Sequence, residues 1–335
     1  MKKKIILIVV SVALFLVAAT LFYLAMNKEY TGKKGDARIT LHIVGDKTVN
    51  ASTVNAICQI IEERLRKSSH VEQFFIEKSA GDNRIVVVMP QPRQNASHVY
   101  SLLQSNGDLQ IWETYDGQEI APFIRDLMQA YADSVAGSLV SPDDSSLAAE
   151  MIREELDKQT MPGLRVMETH GIVGYASPSD TAAVNSMLQS PLAKNILPKP
   201  FRPLWGVKAG PVGNDEAFFL YAIKSYSGRP ALGGDIITNA EAATNTIGSP
   251  CVSMTMNVMG AREWEELTRA NIGHAIALTI DGGVYSAPVV NSAITGGKTE
   301  ISGNFTPEET KDLAGVLSSG RLPARVTIEK VETIE

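Results

Sequence analysis

The feature that most constrains this chain is an uncharged, apolar segment near its N-terminus, which runs from Ile5 through Leu14 to Met26. Its roughly 22 residues would form a helix of about 33 Å, long enough to cross the hydrocarbon core of a bilayer. Lysines occupy positions 2–4, so the positive-inside rule keeps residues 1–4 in the cytoplasm. The sequence therefore predicts a single-pass membrane anchor with nearly all of the chain on the far side of the membrane.

The alternative to an anchor is a cleaved signal peptide, because Val17, Ala18 and Ala19 could serve a signal peptidase. The apolar run continues through residues 21–24, past the core of an ordinary signal peptide, and this favours an uncleaved anchor. Residues 27–37 are mostly polar and are interpreted as a solvated linker. Both interpretations place the bulk of the chain outside the cytoplasm.

The roughly 300 residues beyond this segment suffice for a sizeable core and for two domains. The formal net charge of -6 argues against a nucleic-acid partner. The two cysteines, Cys58 and Cys251, are too few for a disulfide scaffold. An envelope location would permit a bond between them, but Cys58 lies in an apolar helical pattern that suits a buried free thiol equally well.

From Arg38 to about Thr114 the chain alternates between strand and helix patterns. Apolar residues recur with a period of two at residues 38–44, and a helical stripe follows, with Ser52 or Thr53 as its cap. Further strands are predicted at residues 71–77, 84–89 and 108–112, with a turn at 81–83 and a short helix near 97–103. The order β-α-β-β-α-β is typical of the ferredoxin-like split βαβ arrangement.

The middle of the chain is richer in helix patterns. Helices are predicted at residues 122–136, 145–158 and 179–188, an extended proline-rich connector at 198–203, and a strand at 218–223. After Gly233 the patterns alternate again, with strands at 252–256, 274–280 and 325–331, and helices at 260–271 and 307–319. Thr306, Pro307 and Glu309 form the start of the last helix as a capping box, and Gly320 ends it.

No chemical centre is predicted. The histidines at positions 42, 70, 98, 170 and 274 match no metal-ligand spacing, and the glycine pairs match neither a dinucleotide-binding nor a phosphate-binding loop. His274, Asp281 and Ser286 are close in sequence, but Asp281-Gly282-Gly283 is better explained as a turn. We therefore predict no catalytic residue, no cofactor, no metal site and no enzymatic activity.

Several motifs do resemble a known family, that of SecD, an accessory subunit of the Sec protein translocase that is often fused to SecF. The similarity is to its first large periplasmic domain and covers nearly the whole chain, with residues 122–177 matching least. The most specific motifs are LGGDIIT at 232–238, VSMTMN at 252–257, AIALTIDG at 275–282, YSAP at 285–288, ISGNFT at 301–306 and LAGVLSSGRLP at 313–323; upstream agreement lies at 61–65, 83–90 and 108–113.

The resemblance implies an α+β fold made of a base and a head. The base would be ferredoxin-like and comprise residues 38–115 and 322–335, and the head would be an α+β insertion at residues 116–321. Hinges are expected near residues 115–121 and 321–323. In the family the head is thought to catch secreted chains as they emerge and to swing relative to the base, driven by proton flow through later membrane helices.

The resemblance also implies a location and partners. The location would be the bacterial inner membrane, with the bulk in the periplasm. The partners would be the Sec translocation channel, a SecF-type subunit, unfolded secreted polypeptides and the lipid bilayer. Motif positions are interpreted as structural or hinge residues: Gly233, Gly234, Asp281, Gly282, Pro288, Gly303, Phe305, Thr306, Gly320, Leu322 and Pro323.

Reversible capture of unfolded chains requires flexible apolar surface, and Met254, Met256 and Met259 are candidates for it. Methionines in a strand are more often part of a core, so the core interpretation stays open beside the binding one.

The sequence departs from the family in one respect, because the family continues into further membrane helices that carry the proton-coupling charge, whereas this sequence ends at Glu335. It is interpreted either as the front part of a longer subunit or as a short tethered module that cannot pump. Two alternatives from other classes remain: an anchored envelope binding or scaffold protein unrelated to secretion, and an anchored hydrolase whose polar cluster is assembled from distant residues.

Overall fold

The computed structural model describes residues 32–45, 49–79, 83–93, 95–139, 146 and 163–335. The predicted anchor at residues 5–26 lies outside these ranges, as do residues 81–82 of the predicted turn and nearly all of the helix predicted at 145–158. Within the described ranges, no helix combines the length and the apolar character that crossing a membrane requires.

The first structural unit, called the sheet unit, is an antiparallel sheet packed against two helices. Its strands lie in the order β15-β1-β3-β2. Strand β15 follows all the other elements in the sequence, so the rest of the chain is inserted between β15 and the other elements of the sheet unit. Its elements are β1 (Ala37–Ile43), α1 (Ala51–Lys67), β2 (Phe75–Ser79), β3 (Arg84–Met89), α2 (Ala96–Gln104) and β15 (Val326–Thr333).

The elements of the sheet unit follow from their apolar patterns. In β1 every second residue from Ala37 to Ile43 is fully buried, as a period of two requires. Helix α1 buries Ile57, Ile61 and Leu65 along one stripe. Its cap is Asn50, whose side chain accepts a hydrogen bond from the Thr53 N–H at 2.8 Å, and not the predicted Ser52 or Thr53.

The second unit, called the inserted unit, extends from β4 to α7. Its elements are β4 (Leu109–Glu113), α3 (Gly117–Leu139), β5 (Arg165–Thr169), β6 (Ile172–Ala176), α4 (Thr181–Leu188), α5 (Pro191–Ile196), β7 (Phe201–Val212), β8 (Asp215–Lys224), β9 (Leu232–Gly233), β10 (Ile237–Thr244), β11 (Pro250–Met256), α6 (Val258–Ala270), β12 (Ile276–Ile280), β13 (Gly283–Ser286), β14 (Lys298–Ser302) and α7 (Pro307–Ser319).

The inserted unit contains two sheets. The larger one has the strand order β5-β6-β8-β7-β13-β12-β4-β9, and the smaller one the order β10-β11-β14. The two halves of the larger sheet meet at a parallel pair, Gly206 with Val284, and at an antiparallel bridge between Thr114 and Ile223. Strand β7 includes residues 201–203, which the sequence analysis assigns to an extended connector.

The position of β4 differs from the prediction. The sequence analysis assigns this strand to the base, but it pairs with the whole of β12 and with β9 in the larger sheet of the inserted unit. Leu109, Ile111 and Trp112 are all buried, so both faces of β4 are covered, as expected of an interior strand. Strand β15 supplies the last β of the β-α-β-β-α-β order instead.

Helix α7 connects the two units physically. One side of it packs Leu313, Ala314 and Leu317 into the core under β10 and β11. Another side meets α1, where a Cβ built on Gly315 would lie 3.5 Å from the Lys67 Cβ, an ordinary van der Waals distance. Because the helix is buried on several sides, it lies between the units and not on the surface of one of them.

Candidate functional site at the junction of the two units

The chain leaves the sheet unit through Ser105–Asp108 and returns to it through Gly320–Pro323, and these two segments together are called the junction. They lie side by side, because the Leu322 N–H donates a hydrogen bond to the Asn106 carbonyl at 2.8 Å. The Arg321 guanidinium also lies 3.3 Å from a carboxylate oxygen of Asp108. Both chain connections between the two units therefore pass through this one place.

Arg64, on helix α1, holds the junction from the side of the sheet unit. The residue is only 1% exposed, and its guanidinium donates hydrogen bonds to the carbonyls of Leu102 at 3.3 Å, Gly320 at 3.0 Å and Ser105. Burial lowers the pKa of Arg64 to about 10, while the charge of Asp281 opposes that shift. The side chain is thus a buried cation at neutral pH that donates hydrogen bonds to carbonyls of both segments.

Asp281 holds the junction from the side of the inserted unit. It follows β12 directly, with a positive φ of 53°. One oxygen of its carboxylate accepts hydrogen bonds from Ser105 Oγ at 2.7 Å and from the Asn106 N–H at 2.9 Å, and the other accepts from the Asp108 N–H at 3.0 Å. This motif residue therefore organises the outgoing segment, and its oxygens are engaged there.

Gly107, in the outgoing segment, lies beside both Arg64 and Asp281. Its φ is +73°, and a Cβ built on it would lie 2.7 Å from a guanidinium nitrogen of Arg64 and 3.1 Å from the Gly320 carbonyl oxygen. A side chain at this position would meet both an unfavourable backbone conformation and a steric clash. The close approach of Arg64 to the outgoing segment hence requires glycine.

A cleft of about 310 Å³ opens beside the junction. One wall comes from α2 of the sheet unit, and the other comes from the inserted unit, including α7. Residues from both units line it, among them His98, Leu102, Val207, Ile280, Phe305 and Val316. Because its walls belong to different units, the shape of the cleft depends on how the units are oriented.

A cation and two aromatic rings build the wall on the inserted unit. Lys208 forms an ion pair with Glu309, donates a hydrogen bond to the Asn304 carbonyl at 2.9 Å and lies 5.5 Å from the centre of the Phe305 ring. The Phe305 ring stacks with that of Tyr285 at a centroid distance of 6.4 Å. Burial raises the pKa of Tyr285, so its hydroxyl stays neutral. The wall is therefore largely apolar, and the charge of Lys208 is compensated by Glu309.

The structure brings only some of the motif residues to this site. Asp281, Gly320, Leu322 and the exposed Pro323 lie at the junction, and Phe305 lies in the cleft wall. The others serve local backbone geometry. Gly233 and Gly234 lie against β4, Gly282 has a φ of +87° in the β12–β13 turn, and Gly303 accommodates the Phe305 ring. The Pro288 carbonyl accepts a hydrogen bond from the Ile276 N–H, and Thr306 caps α7.

The three methionines do not form one contact surface. Met254 and Met256 are 0% and 6% exposed, because they point into the cores beneath the smaller sheet. Met259 is 65% exposed at the start of α6. Only Met259 therefore remains available to a partner in this conformation, and the core interpretation is correct for the other two.

Residues 115–121, where the first hinge is expected, do not connect the two units. Within residues 115–121, the Tyr115 N–H donates to the Ala222 carbonyl at 2.8 Å, and Ile120 and Ala121 are 0% exposed. This segment is integral to the inserted unit. The outgoing connection is Ser105–Asp108, which accompanies the expected return at residues 321–323.

Arg64, Gly107 and Lys208 are site residues that the sequence did not predict. A signal for Arg64 was present, since it occupies the apolar stripe that Ile57, Ile61 and Leu65 define. Gly107 stands in an Asn-Gly-Asp turn pattern. Lys208 gives no such signal, because its partners Asn304 and Glu309 lie about a hundred residues away in the sequence.

Comparison with known proteins places these features in a family context. The family model of the SecDF P1 head subdomain matches residues 216–324. Protein translocase subunit SecD of Rhodothermus marinus is 35% identical over 293 residues, which are 84% of this chain and 46% of that protein. Protein translocase subunit SecDF of Thermus thermophilus is 42% identical over 107 residues, which are 32% of this chain and 15% of that protein. The chain thus spans less than half the length of these curated relatives.

One solved structure has a similar fold. A crystal structure of SecDF in a super-membrane-facing form aligns with a TM-score of 0.50 at 22% identity, over 95% of this chain and 34% of that one. A structure described as a membrane component SecDF that enhances protein export aligns with a TM-score of 0.48 at 25% identity, over 89% of this chain and 100% of that one.

Proposed function

The chain is a relative of the SecD and SecDF protein translocase subunits and carries a SecDF P1 head subdomain, and on this premise we propose that it assists protein export by holding emerging secreted chains on its inserted unit. The proposal places the protein in the bacterial inner membrane, anchored by residues 5–26 with residues 1–4 in the cytoplasm and the two units in the periplasm. Its partners are the Sec translocation channel, a SecF-type subunit and unfolded secreted polypeptides.

The observation that carries the proposal is the arrangement of two units about one junction. The core of the sheet unit is built from residues 37–103 and 322–328 and, among the described residues, from none of the inserted unit. The sheet unit acts as the ferredoxin-like base, and the inserted unit acts as the head. Because both connections pass through the junction, the head turns on the base without breaking either core.

Contact with a secreted chain requires exposed apolar side chains on the head. Val258 and Met259, neighbours at the start of α6, are 87% and 65% exposed. Methionine is flexible and polarisable and adapts to many sequences. We assign the first contact with a client chain to this pair, in place of the three methionines suggested by the sequence.

Site-specific photo-crosslinking tests this assignment. A crosslinker is placed at position 258 or 259 of the full chain in membranes that hold a secretory protein stalled in the channel. The control is position 331, because Val331 is an exposed apolar residue of the base, with 41% of its surface accessible. We expect products with the stalled protein from the head positions and few from position 331. Equal yields at all positions, or none on the head, would overturn the proposal.

A further inference from the structure

Three potential metal ligands from distant parts of the sequence meet where the two units touch. His70 comes from the turn after α1, His98 from α2 and Asp312 from α7. One ligand atom of each lies within 4.8 Å of the others. A single oxygen of Asp312, Oδ2, is 3.4 Å from His70 Nε2 and 3.5 Å from His98 Nδ1. Two side chains of the base and one of the head therefore converge on one point.

Two of the three atoms that face this point are buried without a well-formed hydrogen bond. His70 Nε2 and Asp312 Oδ2 are both buried without a hydrogen-bond partner, and the two side chains are only 9% and 12% exposed. Buried polar atoms are almost always satisfied, because an unsatisfied one costs free energy. A nitrogen and a carboxylate oxygen that face each other in this way can both donate lone pairs to one cation.

Two of the three ligand distances and an outer hydrogen bond suit a metal ion. Ligands about 2.0–2.1 Å from a tetrahedral Zn²⁺ lie roughly 3.3 Å apart, close to the two distances measured from Asp312 Oδ2; all three ligand atoms lie within 4.8 Å of one another. The other Asp312 oxygen accepts a hydrogen bond from Ser68 Oγ at 3.1 Å, as an outer partner that orients a ligating carboxylate does. Both distances from Asp312 Oδ2 are longer than the 3.1 Å of the His170–Asp116 ion pair.

We propose that His70, His98 and Asp312 bind one divalent transition-metal ion, with Zn²⁺ as the best fit to a set of two imidazoles and one carboxylate. Its fourth position is taken by water from the cleft, since His98 and Asp312 both line that cleft and the His98 side chain is 37% exposed. The ion joins α7 of the inserted unit to α1 and α2 of the sheet unit. It thereby favours this orientation of the two units over others, whether or not the chain assists export.

Metal binding is measured on the purified full chain in detergent. Zn²⁺ is titrated by equilibrium dialysis at neutral pH, and Co²⁺ is added separately so that its visible absorption reports the coordination geometry. The variants are His98→Gln and Asp312→Asn, which preserve side-chain shape, and Ser68→Ala, which removes the outer hydrogen bond. The control is His170→Gln, because His170 also faces a carboxylate, that of Asp116 at 3.1 Å, but has no third ligand within the part of the chain that the structure describes. Circular dichroism establishes that each variant is folded.

The expected result is about one Zn²⁺ per chain with micromolar or tighter affinity, and a tetrahedral Co²⁺ spectrum. His98→Gln and Asp312→Asn weaken binding about a hundredfold, Ser68→Ala about tenfold, and His170→Gln leaves it unchanged. The proposal is overturned if the folded chain binds no Zn²⁺ at micromolar concentration. It is also overturned if the two ligand variants keep the affinity of the original chain, or if His170→Gln weakens binding as much as they do.

Discussion

Arg64 shows how one buried side chain can hold two chain segments together. Its guanidinium replaces water for carbonyls at the end of α2, in the outgoing segment and at the C-terminus of α7. It also donates to Ser319 Oγ at 3.0 Å. Only arginine has enough donors in a planar fork to reach all of these acceptors. Arg64 therefore links the two units through hydrogen bonds and is not a surface charge.

Replacing Arg64 by methionine should destabilise the protein strongly. The variant keeps an apolar stem of similar length but leaves several buried carbonyls unsatisfied, and we expect a loss of about 3 kcal/mol or more in the free energy of unfolding. Urea denaturation followed by tryptophan fluorescence measures it. The control is Arg66→Met on the same helix, where Arg66 is 68% exposed and pairs with Glu62; it should cost less than about 0.5 kcal/mol. Similar losses of stability in the two variants would argue against a linking role for Arg64.

Gly107 carries the second prediction at the scale of a residue. Gly107→Ala combines a positive φ with a Cβ 2.7 Å from Arg64, so we expect a loss of about 2–3 kcal/mol. Gly248→Ala is the matched control, because Gly248 has a φ of +85° but nothing within 4 Å of the added Cβ; its cost should be about 1 kcal/mol. Thermal or urea unfolding measures the loss of stability in each variant, and the difference between the two losses is the contribution of steric crowding at Gly107. No difference would mean that the junction relaxes freely.

At the scale of elements, α7 is the helix on which the inserted unit meets the sheet unit. Its start is fixed locally, since the Thr306 side chain accepts from the Glu309 N–H at 3.2 Å and Glu309 accepts from the Thr306 N–H at 2.7 Å. Glu309 also pairs with Lys208 of β7. The cap therefore sets both the first turn of α7 and the position of one cleft wall.

The stability that Glu309 contributes should depend on pH. Burial raises its pKa, but the hydrogen bonds from Lys208 and from the Thr306 N–H outweigh burial and hold the pKa below the usual 4.5. A group whose pKa is lower in the folded than in the unfolded state stabilises the fold above its unfolded pKa, and this contribution is lost as the pH falls through the folded value.

We therefore expect Glu309→Gln to lower the free energy of unfolding by about 1 kcal/mol at pH 7. The difference from the original chain should shrink as the pH falls below about 4.5, where the original glutamate also becomes neutral. Urea unfolding at a series of pH values measures it. Glu308→Gln, at an exposed neighbouring position, is the control. A difference that persists undiminished at pH 3 would contradict the assignment.

At the scale of the whole molecule, each unit has its own core. Cys58 is buried in the core of the sheet unit, and Cys251 is fully buried in β11 of the inserted unit. Both thiols are free. The chain therefore carries a natural reporter of local opening in each unit, and the bond between them that the envelope location would allow is not formed in this structure.

Thiol labelling in urea should separate the two units. We expect Cys58 and Cys251 to become reactive at different urea concentrations, because neither core needs residues of the other to be complete. The single-cysteine variants Cys58→Ala and Cys251→Ala assign each transition to one unit. Coincident transitions in both variants would show that the units unfold as one cooperative body.

The sequence by itself determined part of the local elements, while the strands at 165–169, 172–176, 237–244 and 298–302 were not predicted. The period of two in β1, the apolar stripe of α1 and the capping box of α7 are confirmed within a few residues, because each depends on neighbours a few positions apart. The family resemblance is confirmed by the SecDF P1 head match and the SecD relatives. The predicted anchor at residues 5–26 stays a prediction.

Only the tertiary structure decided which sheet β4 joins, where the units are connected and which methionine is exposed. These outcomes depend on contacts between residues far apart in sequence: Leu109 to Glu113 with Ile276 to Ile280, and Asp281 with residues 105–108. A strand pattern specifies which faces are buried but not which partner covers them. The convergence of His70, His98 and Asp312 was hidden for the same reason, since no spacing along the chain records that three separate elements meet.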